Sequence, residues 1–87
     1  MYVYSKEHFI DEEGKEHDWE HIPMKFPTES RAIEHIQDAL KYLAEKTIEE
    51  NDYNSMSAFS DSENKKWNFR KTTKRTFSEI EFWLKEE

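Results

Sequence analysis

The run His17-Asp18-Trp19-Glu20-His21 sets two imidazoles and a carboxylate in the order H-x-x-E-H. On a helix, histidines four apart share a face. A zinc ion held between them needs a third ligand, and the glutamate must lie beside the metal-bound water. The flanks oppose that chemistry, because Gly14 and Pro23 leave too few residues for a stable helix. In a strand, His17, Trp19 and His21 share one face and Glu20 points away. The segment is therefore read as structural histidines, with a weak surface metal contact as the lesser alternative, and no metal ligand is assigned. His8 and His35 are read as ordinary polar residues.

Clustered carboxylates raise acid–base catalysis: Asp11-Glu12-Glu13, Glu49-Glu50, Asp61 with Glu63, Glu79 with Glu81. That chemistry needs two carboxyls whose pKa values are driven apart in a dry pocket. Charge runs in an acidic chain are ordinarily solvated faces. The chain has no cysteine, no Gly-rich phosphate loop and no Ser/His/Asp arrangement. The expectation is a protein that is not an enzyme, with no catalytic residue and no cofactor.

Charge is the most uneven property of the chain. The formal net charge is −7 over 87 residues. Yet Lys65-Lys66-Trp67-Asn68-Phe69-Arg70-Lys71-Thr72-Thr73-Lys74-Arg75 carries six positive charges and no acid. Residues 1–64 sum to −10 and residues 76–87 to −3. An acidic body with one basic ribbon attracts different macromolecules at different places.

The elements that must position these groups follow from spacing. The length suits a single domain spanning residues 1–87. Aromatic content of 15% supplies core area to a small chain without disulfides. Tyr2 to Ile10 is rich in strand formers, and Asp11 to Lys15 with Gly14 reads as a hairpin turn. His17 to Phe26 reads as the returning strand, at an edge or bent at Pro23. Ile33, Ile36, Leu40, Leu43, Ala44 and Ile48 recur at helical spacing, so a helix is expected from Arg31 to about Glu50, capped by Thr28 or Ser30. Ser55 to Ser60 and Lys66 to Thr73 read as a second hairpin. Thr76-Phe77-Ser78-Glu79 matches a capping box, which predicts a short C-terminal helix burying Phe77, Ile80, Trp83 and Leu84 and exposing Phe82.

The expected class is α+β. A small antiparallel sheet in ββαββα order carries one long helix on a face and a short C-terminal helix. A three-stranded sheet in which one proposed strand is loop is the rival. Residues Met1 to Glu7 lack a signal-peptide apolar run, and no stretch approaches the ~18–20 apolar residues of a membrane span. A cytoplasmic protein without a membrane partner is expected.

Two surfaces can carry function. Glu34, Asp38, Glu45 and Glu49, with Tyr42 among them, share the outer face of the long helix; the acids form like-charge i,i+4 pairs, which Lys41 only partly relieves, and such pairs cost stability. They suit a basic protein partner, including one that handles nucleic acid. The alternative is the ribbon, where Lys66, Trp67, Arg70, Lys71 and Lys74 would track a nucleic-acid backbone. Against it, Trp67 and Phe69 on one strand face serve equally well as core.

The profile is short, acidic, free of cysteine and rich in Lys, Glu, Asn and Ile. In bulk composition it resembles small proteins of bacteriophages and other mobile elements, anti-CRISPR proteins among them. That resemblance implies a protein that binds and blocks a host or defence protein. The expected function is a protein-binding inhibitor using its acidic surface.

Overall fold

A computed structural model describes residues 1–86. The elements are β1 (Tyr2–Ile10), β2 (Glu16–Glu20), β3 (Met24–Lys25), α1 (Glu29–Glu50), β4 (Ser55–Asp61), β5 (Lys66–Thr72) and β6 (Phe77–Lys85). All strands pair antiparallel in the order β2-β1-β6-β5-β4, with β3 also paired to β1. The α+β class with a long helix on an antiparallel sheet holds.

The first hairpin closes as the turn residues require. Gly14 sits at φ +80, a conformation L side chains rarely adopt. The Asp11 carboxylate accepts the backbone N–H groups of Glu13 and Lys15, both at 2.9 Å. The returning strand is split into β2 and β3 around His21-Ile22-Pro23, because Pro23 has no N–H to give a ladder. It is also the sheet edge.

Helix α1 starts at Thr28, whose Oγ1 accepts the Arg31 N–H at 3.2 Å. It ends at Asn51, whose φ of 53 lets its N–H reach the Thr47 carbonyl at 3.1 Å. Its inner face buries Ala32, Ile36 and Thr47. The Thr47 hydroxyl is satisfied by the Leu43 carbonyl at 2.8 Å. Ile33, Leu40 and Leu43 are half-buried beneath it. Ile48 departs from the expectation and is 56% exposed. At ~100° per residue the apolar series drifts round the helix, and Ile48 falls about a third of a turn from the buried centre.

The C-terminal helix does not form. Residues Phe77–Lys85 are β6, hydrogen-bonded to β1 on one side and β5 on the other. The order is therefore ββ(β)αβββ, not ββαββα. The period explains it: Ser78, Ile80, Phe82 and Leu84 face α1, while Phe77, Glu79, Glu81 and Trp83 face away. A nine-residue helix is marginal in water, whereas a central strand satisfies its backbone on both sides. The capping-box threonine sits in a hairpin loop instead, where Thr73 Oγ1 accepts the Thr76 N–H at 3.1 Å.

That change of period exchanges two aromatics. Phe82, expected to be exposed, is 6% exposed and faces Trp67 in register. Trp83, expected in the core, lies on the opposite sheet face. Val3, Ala32, Ile36, Trp67 and Phe82 form the core cluster, with Phe26, Leu40, Ile80 and Leu84 packed against it. Truncating a buried aromatic forfeits its transfer energy and leaves a cavity. Phe82→Ala is expected to cost about 3–5 kcal/mol in urea unfolding. Trp83→Ala should cost clearly less; a C-terminal helix would reverse that order.

Candidate functional site

The fold leaves one face of α1 to solvent. Glu34, Asp38, Glu45 and Glu49 are all exposed there. At ~1.5 Å per residue they run about 22 Å along the axis, in one narrow sector. Among the described residues none of the four is in an ion pair. Lys41 shares the sector and Arg31 lies at its start. Two apolar side chains stand among these charges: Tyr42 is 61% exposed and Ile48 is 56% exposed. Tyr42 and Glu49 line one shallow hollow on the helix.

The basic ribbon is spent differently. Lys65 meets Glu29 at 2.8 Å, Lys71 meets Glu50 at 3.8 Å, and Arg75 meets Glu12 at 3.8 Å. Arg70 is bonded to Glu79. The Glu29 carboxylate holds the Lys65 ammonium above its ordinary pKa. Lys66 and Lys74 are the ribbon's exposed cations outside such pairs among the described residues. Trp67 is 2% exposed, so its ring is closed to a stacking base. Phe69 is buried likewise. Lys71 lies on the α1 side of the sheet, while Lys66 and Arg70 lie on the other. The structure thus divides the ribbon's candidate residues between two faces.

The histidines of the H-x-x-E-H run are drawn apart. His17 Nε2 meets Asp11 at 3.0 Å and His21 Nε2 meets Glu7 at 2.6 Å. His8 Nδ1 meets Asp18 at 2.7 Å across the strand register. Three imidazole–carboxylate pairs therefore staple β1 and its turn to the returning chain. Among the described residues no three metal-ligating groups gather.

No family model, curated protein or solved structure matches this chain. No helix among the described residues is long and apolar enough to cross a membrane.

A third surface was hidden from the sequence by the helical reading of residues 77–85. The sheet face away from α1 carries Tyr2, Tyr4, Phe59, Trp83, Lys6, Lys66 and Lys85. The Tyr4 and Trp83 rings stack at 5.8 Å, and Lys85 lies over Tyr4 at 5.2 Å. Lys6, Phe59, Lys66, Asn68, Glu81 and Trp83 line a shallow cleft of about 390 Å³. Lys6–Glu81 and Arg70–Glu79 pairs make this face nearly neutral. Period-2 alternation in 77–85 was the signal that would have found it.

The Asp18 hydrogen bond raises the His8 pKa, opposed by desolvation and helped by the charges of Asp18, Glu16 and Glu79. Asp11 is lowered, first by His17 and then by the backbone N–H groups. A raised imidazole contributes fully below its ordinary pKa, and loses that contribution as pH rises through the raised value. A lowered carboxylate contributes above its ordinary range and loses that as pH falls. The hairpin is thus held best in mildly acidic solution. NMR titration is expected to place the His8 midpoint above ~6.5, and Asp18→Asn to move it back down. An unmoved midpoint would remove the cross-strand pair.

Proposed function

We propose that this chain is a non-enzymatic binding module that inhibits a basic protein by covering it with the outer face of α1. The observation that carries this reading is the placement of exposed Tyr42 and Ile48 among carboxylates that form no ion pair among the described residues. Tyr42, with Lys46 6.0 Å from its ring centroid, and Ile48 flank the carboxylates on either side of the sector. Aromatic anchors flanked by charge are the usual energetic centre of a protein interface. The carboxylates steer a basic partner into encounter, and the apolar pair holds it once water is expelled. Enzymes that handle nucleic acid present such basic surfaces, and a partner of this kind fits the phage-like composition of the chain. The setting is cytoplasmic.

A second reading keeps nucleic acid as the ligand, but moves it from the ribbon to the open sheet face. Stacked Tyr4 and Trp83 with Lys85 and Lys66 nearby favour it. It ranks second because Glu79 and Glu81 lie on the same face and the whole chain is at −7.

Affinity capture at low and high salt tests the leading reading. The wild type is expected to retain a basic protein, identified by mass spectrometry, at low salt. Replacing Glu34, Asp38, Glu45 and Glu49 by Gln should abolish retention, and Tyr42→Ala with Ile48→Ser should do so at unchanged charge. Both variants should keep the wild-type melting temperature within a few degrees, because exposed substitutions cost little. Retention that neither variant alters would discard α1 as the docking face. Oligonucleotide binding lost on Trp83→Ala would put the second reading first.

A further inference from the structure

The two edges of the sheet are built unlike each other. The β2/β3 edge is guarded: it is broken at Pro23 and lined by Glu16, Asp18, Glu20 and Lys25. Natural sheets blunt their edges in these ways to prevent pairing with another chain. The β4 edge has none of them. Its seven residues, Ser55-Met56-Ser57-Ala58-Phe59-Ser60-Asp61, hold no proline, and only the last is charged. They pair with β5 in unbroken register, without a bulge. Four of the first six are serine or alanine, all exposed, and Phe59 is 54% exposed.

We propose that β4 pairs antiparallel with β4 of a second copy of this chain, making a twofold dimer with one continuous sheet. The sequence of β4 is complementary to itself about Ala58. With Ala58 opposite the partner's Ala58, Met56 faces the partner's Ser60, Ser57 faces the partner's Phe59, and Ser55 faces the partner's Asp61. No like charges face each other. The two Asp61 carboxylates stand six residue steps apart, about 20 Å. The two Phe59 rings become diagonal neighbours at ~7–8 Å, within reach of aromatic side chains. Each Phe59, 54% exposed, thus gains an apolar partner across the interface.

Helix α1 leaves room for this. Its ends are tied to the ends of β5 by Lys65–Glu29 and Lys71–Glu50, and Ala58 and Ser60 beyond it are exposed. The guarded β2/β3 edge stops further addition, so pairing closes at two copies instead of growing a filament. A strand-only interface is small, which puts its dissociation constant in the micromolar range. The dimer would present two α1 faces on one side of a shared sheet, so binding of a repeating basic target gains from avidity.

Sedimentation velocity from about 5 to 500 μM, bracketing that range, is the test. The wild type is expected to pass from monomer to dimer. Ala58→Lys, which sets a lysine against its own copy, should stay monomeric with an unchanged circular dichroism spectrum. Should that variant fail to fold, Ala58→Cys serves instead. Residues facing each other across antiparallel strands lie ~4.5–5.5 Å apart at Cα, within disulfide range. In this cysteine-free chain, Ala58→Cys should oxidise to a covalent dimer much faster than Ser62→Cys in the adjacent turn. A wild type monomeric at every concentration would overturn self-pairing and leave the edge to an extended segment of another protein. A dimer that survives Ala58→Lys and gives no faster Ala58→Cys cross-link would overturn it equally.

Discussion

Strand β6 has to be satisfied on both sides, and most of the molecule follows from that. It is the last element in sequence and the middle one in space. Its inward residues Ile80, Phe82 and Leu84 meet Glu7, Ser5 and Val3 of β1, and Phe82 meets Trp67 of β5. Without it, the two hairpins would share no hydrogen bonds. Helix α1 then seals the resulting apolar strip, with Ile36 fully buried over Val3, Trp67 and Phe82. A chain with only 34% hydrophobic residues can cover one side of such a sheet and no more. The aromatic face beneath, the outer face of α1 and the β4 edge are left to solvent for that reason.

Charge is distributed with the same economy. The basic ribbon lies along β5 and the β5–β6 turn, where four of its cations meet Glu12, Glu29, Glu50 and Glu79 from the turn after β1, both ends of α1 and β6. Exposed pairs of this kind contribute little stability each. Their larger effect is on the field outside the protein: they cancel the ribbon and leave the helix carboxylates as the dominant charge. The lopsided charge seen along the sequence becomes, in three dimensions, an acidic helix over an almost neutral sheet. On the proposed function, this distribution favours a basic partner over a phosphate backbone.

Much of the fold could be read from the chain because its signals were local. Gly14 in an acidic turn, Thr28 before an apolar series, strand formers in Tyr2–Ile10 and alternation in Lys66–Thr72 each specify their element unaided. Residues 77–85 misled because Phe77, Ile80, Trp83 and Leu84 satisfy a helical period while Ile80, Phe82 and Leu84 satisfy a strand period. A capping box tipped the choice locally, and only pairing with β1, some seventy positions earlier, decides it. Ile48 misled for a smaller reason, the slow rotation of an apolar series about the helix. The four acidic residues, with Tyr42 among them, were legible as an exposed stripe; that Ile48 stands exposed beside them was not. The aromatic sheet face was illegible for as long as Trp83 was placed on a helix.

Native-state hydrogen exchange resolved by residue tests the central place of β6 most directly. The amides of Ile80 to Leu84 alternate between partners on β1 and β5 in the middle of the sheet, so they should exchange only through global unfolding. Their opening free energies should equal the stability from denaturant unfolding, while those of β3 and the outward amides of β4 fall well below it. Rapid exchange across 80–84, accompanied by helical i to i+3 nuclear Overhauser contacts there, would contradict the account.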